Sequence, residues 1–251
     1  MIARDILDHP VIGERYFFGR PDAVADPEIV LASGLELRCF RARAGDGAPV
    51  LLHFHGNGEV VADWAQDLAP SLAASGIEVL LAEYRGYGGS SGLPALGSML
   101  GDALAIADVA GDPANVVVYG RSVGSIYAIE VAAKRPVAGL VVESGIADVG
   151  ERLALRLDAS ELGVTDAELD AAIASELDHR AKLAANDCPM LVLHALADHL
   201  VGVEHARKLA SWAGDRAELE LFERGDHNSI WAYNSAAIVE RLCKFVAGAT
   251  S

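Results

Sequence analysis

Apolar residues in this chain fall in short unbroken runs separated by longer amphipathic stretches, and that rhythm constrains the fold more than any other feature. The runs VLLHF, VVVY, GLVV and MLVL are hydrophobic at nearly every consecutive position. A strand with one wet face alternates instead, so such runs point to parallel strands covered on both faces. Strands are expected over Leu35–Arg41, Val50–His55, Ile77–Ala82, Val116–Tyr119, Ala138–Glu143, Met190–Ala195 and Glu218–Phe222. Helices are expected over Val61–Ser75, Ser98–Ala110, Val123–Lys134, Val203–Ala213 and Asn228–Val246. Strand–helix–strand repetition predicts an α/β fold with a mostly parallel central sheet flanked by helices. In such sheets the loops at the carboxyl ends of the strands build the site.

One stretch breaks the rhythm. Residues 145–187 have helical composition and no convincing strand, whereas a crossover needs only about a dozen residues. A small helical cap or an extended crossover is expected there, inserted in a single domain that spans residues 1–251.

Composition removes several classes of function. Asp+Glu number 36 against 20 Lys+Arg, a formal charge of −16. Neutralising nucleic-acid phosphates or docking on anionic lipid is hard on that balance, so neither partner is expected. No apolar run approaches the roughly 20 residues that span a bilayer. The opening MIARDILDHP lacks the apolar core of a secretory signal. Three widely spaced cysteines, Cys39, Cys188 and Cys243, form no CxxC pair. A reducing, cytoplasmic setting without a zinc cluster is therefore expected.

Two G-x-S-x-G patterns occur, and context separates them. Gly120-Arg121-Ser122-Val123-Gly124 follows the strand VVVY directly and leads into the helical run SIYAIEVAAK. A strand–turn–helix junction of this kind exposes a serine at the top of a sheet, and its glycines allow backbone segments to approach closely. Ser122 is the candidate nucleophile. The second pattern, Gly88-Gly89-Ser90-Ser91-Gly92, has no strand running into it and Pro94 close behind.

A serine hydroxyl needs an imidazole to take its proton, and the imidazole needs an orienting carboxylate. Of eight histidines, His227 lies on the loop after the last strand, just before the final helix. His53 and His55 belong to a core strand and its exit, His194 lies within a strand, and His9 and His179 lie in peripheral segments. His199 and His205 read as loop and helix-surface residues. For the acid, MLVLHA runs into Leu196-Ala197-Asp198, which puts Asp198 on the loop after the next-to-last strand. Glu143, at the end of the strand after the nucleophile helix, is the rival. Asp226 adjoins His227 too closely in sequence to reach its Nδ1 and reads as a surface residue.

Charge developing on an acyl oxygen is usually held by two backbone N–H groups. Val123, next to the nucleophile, would supply one. The loop His55-Gly56-Asn57-Gly58 would supply the other through Asn57, whose side chain would then be dispensable; an ordinary strand-exit turn is the plain alternative. No set of His, Cys, Asp and Glu has metal-ligand spacing, His53-Phe54-His55 included. The glycine-rich Tyr84–Ser90 loop completes neither GK[ST] nor G-x-G-x-x-G. No metal and no cofactor are therefore expected, and that loop reads as structural. Trp64, Tyr87, Trp231 and Tyr233 are candidates for lining an acyl pocket, with core packing or helix surface equally open.

With Ser122, Asp198, His227 and the HGNG loop in this order, the chain resembles the α/β-hydrolase superfamily over most of its length. More narrowly it resembles the depalmitoylase-like branch, through HGNG at 55–58, YRGYGGS at 84–90, GRSVGS at 120–125 and GDHN at 225–228. Ala195 stands where that branch usually has glycine, and Gly202 where proline is common. The resemblance implies a serine hydrolase acting on a carboxylic ester or thioester, a small-molecule acyl substrate. Membrane-associated relatives carry an N-terminal anchor or cysteine cluster that this sequence lacks, which counts against a lipidated-protein substrate. A peptidase with the same triad, or a non-catalytic binding protein of this fold, are the alternatives.

Overall fold

A computed structural model describes residues 2–250; Met1 and Ser251, the ends of the expected domain, lie outside the described residues. Its centre is an eight-stranded sheet: β1 (Glu28–Ala32), β2 (Leu35–Ala42), β3 (Val50–Phe54), β4 (Glu78–Ala82), β5 (Val116–Arg121), β6 (Gly139–Glu143), β7 (Met190–Ala195) and β8 (Ala217–Phe222). The spatial order is β1-β2-β4-β3-β5-β6-β7-β8. β1 and β2 pair antiparallel, as do β2 and β4, and the remaining pairs are parallel.

The unbroken apolar runs have the expected cause. Every residue of β3, β4, β5, β6 and β7 is buried. Successive side chains point to opposite faces, so each central strand serves two cores. Val116 and Val118 pack on one side, Val117 and Tyr119 on the other.

Eleven α-helices are assigned among the described residues. Two precede the sheet, α1 (Ala3–Leu7) and α2 (Pro10–Tyr16). The others are α3 (Val61–Ala65), α4 (Leu68–Ala74), α5 (Ser98–Ala110), α6 (Gly124–Lys134), α7 (Val149–Ala154), α8 (Asp166–Glu176), α9 (His179–Ala184), α10 (Val203–Ala213) and α11 (Ile230–Ala249). The helices α5, α6 and α10 cover one face with Met99, Ile126 and Leu209. The other face is covered by α4 and α11 with Leu68, Leu72, Ile238 and Leu242.

The elements differ from the sequence reading in several places. The helix expected over Val61–Ser75 is two helices, because Pro70 offers no N–H to the carbonyl of Gln66 and its ring crowds that carbonyl. The last helix starts at Ile230 instead of Asn228, since residues 226–229 form a turn. The strand β1 was not anticipated; it is tied to β2 by Ser33 and Gly34, both at positive φ (51° and 78°), as a two-residue hairpin turn requires. Residues 145–187 hold α7, α8 and α9 with a 3-10 turn at Ala159–Leu162, between β6 and β7.

β3 lies between β4 and β5, so the chain leaves β3 toward one side of the sheet and leaves β5 toward the other. A crevice opens at the carboxyl ends of the strands where such connections diverge. Register places Phe54 beside Gly120, so the HGNG loop and the Gly120–Gly124 turn emerge side by side.

Candidate active site

The turn after β5 forces Ser122 into a conformation few L-residues adopt, with φ at +52°. The neighbouring glycines make it possible. A Cβ on Gly124 would lie 2.1 Å from the carbonyl oxygen of Phe54, and one on Gly120 would lie 2.5 Å from that of Gly124. Both contacts are far inside van der Waals distance, so no other residue fits. The N–H of Ser122 donates to Glu143 O at 2.9 Å, and Ser125 Oγ donates to Ser122 O at 2.6 Å. The strained turn is thus fixed at both ends, in keeping with strain that surrounding structure over-determines.

His227 comes to this serine from the loop between β8 and α11. Its Nδ1 lies 2.7 Å from Asp198 Oδ2, which can only accept, so Nδ1 carries the proton. Its Nε2 lies 3.0 Å from Ser122 Oγ and is left to accept from the hydroxyl. Asp198 Oδ1 accepts the N–H groups of Leu200 and Val201 at 2.9 and 2.8 Å. Burial pushes the Asp198 carboxyl up, but the hydrogen bond and charge of His227 and the Val201 N–H outweigh it and hold it below the usual carboxylate range. The sequence-predicted Ser122, His227 and Asp198 therefore lie in one hydrogen-bonded chain.

The rivals are occupied elsewhere. Glu143 accepts from Trp231 Nε1 at 2.7 Å and from the Tyr119 hydroxyl, and pairs with Arg121 at 3.2 Å. Burial keeps its carboxyl above the usual range despite those partners. Ser90 Oγ accepts the N–H of Arg38 at 2.9 Å, stitching the Tyr84–Ser90 loop to β2. Asp226 is exposed, as expected, yet it shapes the site: its Oδ1 accepts the N–H groups of Asn228 and Ser229 at 3.1 and 2.9 Å, closing the turn that presents His227.

The backbone N–H groups of Asn57 and Val123 find no acceptor among the described residues, and both residues line the cavity at Ser122, about 220 Å³ in volume. The Asn57 side chain is not idle. Its Oδ1 accepts from Phe18 N and from the Tyr87 hydroxyl, both at 2.9 Å, and its Nδ2 donates to Tyr16 O at 2.5 Å. The sequence-based expectation of a dispensable side chain is corrected by these bonds. Asn57 ties the HGNG loop to the end of α2.

The same cavity takes its aromatic lining from Tyr16 and Phe18. Neither was singled out in the sequence, where the segment before β1 carries no motif. Of the four aromatics that were, Trp64 and Trp231 line a separate groove of about 800 Å³ across α3, α4 and α11. Tyr87 is buried in the core, and Tyr233 is exposed with the Arg224 guanidinium 4.9 Å from its ring centroid. His205 and His179 are also corrected. Both are buried, His205 Nδ1 accepting from Ala147 N at 3.1 Å and His179 Nδ1 donating to Ile146 O at 2.8 Å, so together they anchor the start of 145–187.

His55 has an acceptor at each ring nitrogen, Gly56 O and Glu83 Oε1, both at 2.8 Å. With Glu83 ionised, two acceptors favour a proton on each ring nitrogen and so the cationic ring. Burial opposes the charge, but Glu83 raises its pKa above the ordinary value. Among the described residues no group of three or more His, Cys, Asp or Glu could hold a metal ion, and no helix is long and apolar enough to cross a membrane.

A family model described as "Serine aminopeptidase, S33" matches residues 46–165. An esterase of Pyrococcus furiosus superposes with a TM-score of 0.71 over 94% of this chain and 98% of its own, at 16% identity. Est1E of Butyrivibrio proteoclasticus, bound to ferulic acid, gives 0.70 over 88% and 99%, at 18% identity. In sequence, human "Alpha/beta hydrolase domain-containing protein 17B" is 25% identical over 221 residues, 86% of this chain and 72% of its own.

The chain has the α/β-hydrolase fold.

Its likeness to the depalmitoylase-like branch fits the 17B relative. An "Uncharacterized protein Rv2307c" of Mycobacterium tuberculosis is 27% identical over 217 residues, 82% of this α/β-hydrolase and 73% of the relative.

Proposed function

We propose that this α/β-hydrolase is a serine hydrolase that cleaves a carboxylic ester or thioester through an acyl-enzyme. The observation that carries the reading is the unbroken path from Asp198 Oδ2 to His227 Nδ1 (2.7 Å) and from His227 Nε2 to Ser122 Oγ (3.0 Å). In this reading Ser122 Oγ attacks the acyl carbon while His227 takes its proton, and Asp198 stabilises the imidazolium. The N–H groups of Asn57 and Val123 hold the oxyanion. His227 then protonates the leaving oxygen or sulfur, and a water activated by the same imidazole releases the acid. Residues 145–187 act as a helical cap on a single domain, a role supported by Ile146 in the cavity wall. A cytoplasmic setting is supported by three cysteines that are all free.

A peptidase with the same triad is the second reading, favoured by the description of the matching family model. Rates with a 4-nitrophenyl ester, an acyl thioester and aminoacyl 4-nitroanilides separate the two. The mechanism itself is tested by Ser122→Ala, His227→Ala and the double variant. Because the triad acts as a unit, each single variant loses nearly all hydrolysis and the double is hardly worse. Losses that multiply would mean that the two residues do not serve one proton relay.

A further inference from the structure

Two arginines stand in the wall of the Ser122 cavity. Arg152 lies in α7 and Arg156 in the turn just after its end, and both line the cavity with Tyr16 and Phe18. The Arg156 guanidinium carbon stands 5.3 Å from the centroid of the Phe18 ring. Burial lifts the Tyr16 phenol to about 12, and the charges of Arg152 and Arg156 pull against it, which puts both cations close to the same wall.

Among the described residues neither arginine makes an ion pair, whereas Arg15, Arg41, Arg85, Arg121 and Arg135 each do. A pair left free beside a reactive serine is suited to an anion from outside the chain. The guanidinium fork matches a carboxylate in two parallel hydrogen bonds. The overall charge would otherwise repel such a ligand.

We propose that Arg152 and Arg156 form an anion subsite of the Ser122 cavity, so that the preferred substrates are esters or thioesters carrying a free carboxylate. The inference rests on the serine-hydrolase reading and names its substrate class.

The test compares kcat/KM for matched pairs. Mono-4-nitrophenyl adipate against 4-nitrophenyl hexanoate puts the charge on the acyl side. The 3-carboxyphenyl and phenyl hexanoates put it on the leaving group. The enzyme favours the charged member of at least one pair by about tenfold or more, the size of a charge-assisted bond. Arg152→Gln and Arg156→Gln each reduce that ratio, the double variant brings it near one, and added salt lowers it. Arg135→Gln, paired with Asp108 at the far end of α6, leaves it unchanged. A ratio near one in both pairs, or one the double variant keeps, overturns the subsite.

If no ester is cleaved, the hydrolase reading has failed, and calorimetry on Ser122→Ala decides the subsite separately. Adipamate that binds more tightly than hexanamide, with the difference lost in the arginine variants, sustains it. Equal binding, or a difference independent of the arginines, ends it.

Discussion

Arg121 Nη2 donates to the carbonyl oxygen of His227 at 2.8 Å, joining the turn that carries the serine to the loop that carries the histidine. The same guanidinium pairs with Glu59 at 3.1 Å and with Glu143 at 3.2 Å. Glu59 in turn accepts Gly56 N at 2.8 Å from the HGNG loop. One buried cation therefore sets the spacing of the three loops that build the site. Removing one member of such a network costs about 3–5 kcal/mol, because its partners are left buried and unpaired. Arg121→Met should lower the unfolding free energy read from urea titration by that amount and reduce turnover as well. A variant that unfolds like the wild type would mean that the network carries no structural weight.

Asn57→Ala tests the side chain that ties HGNG to the end of α2. It leaves Tyr16 O and the buried Tyr87 hydroxyl without their Asn57 partners, while Phe18 N keeps the Tyr87 oxygen as acceptor, and an unsatisfied buried group costs about 1–3 kcal/mol. A loss of that size in the unfolding free energy read from urea titration is expected, with activity reduced through displacement of the loop. Full stability in the variant would mean that water replaces these bonds.

Stability should respond to pH with opposite sign at two histidines. The pKa of His55 is raised above 6.5 by Glu83, so its contribution is full below about 6.5 and is lost as pH rises through the folded value. His179 is pushed down to about 4, first by burial and then by the Lys182 charge. Its contribution is present above 6.5 and is lost as pH falls toward 4. The urea stability difference between wild type and His55→Gln should shrink as pH rises, and that for His179→Gln should shrink as it falls. If a variant does not fold, the NMR titration of that imidazole reads the same sign. Reversed trends would assign the wrong charge to these rings.

Much of the fold was legible because burial on both faces writes itself as consecutive apolar residues, as in Val116–Tyr119 and Met190–Leu193. The edge was harder to read. β1 exposes Ile29 and Leu31 while burying Val30 and Ala32, so its pattern is short and weak, and its clearest mark was the Ser33-Gly34 turn. The Ser122, His227 and Asp198 neighbourhood was legible because each lies on the loop or turn that follows a strand at a fixed place in the topology. The Tyr16 and Phe18 wall was not, since the contact spans some forty residues of chain to Asn57 and leaves no local pattern. His205 and His179 misled for the same reason: a histidine on a polar helix gives no sign that its ring is buried against another segment.

Asp198→Asn should lower kcat by about 10⁴, the loss expected when an imidazole no longer has its orienting carboxylate. Glu143→Gln should cost far less in turnover, because Glu143 bonds Trp231 and Tyr119 and not the imidazole. Rates for both variants, each compared at a temperature where it is folded, check the ranking. The reverse order would move the acid to Glu143.

The most direct measurement is the mass-spectrometric location of a fluorophosphonate adduct. The proposed mechanism predicts one phosphonyl group per chain, on the peptide containing Ser122, formed far more slowly in His227→Ala and absent in Ser122→Ala. An adduct on Ser90 or any other serine would contradict it by moving the nucleophile, and slow or absent labelling of the folded wild type would contradict it and leave a binding protein of this fold as the better account.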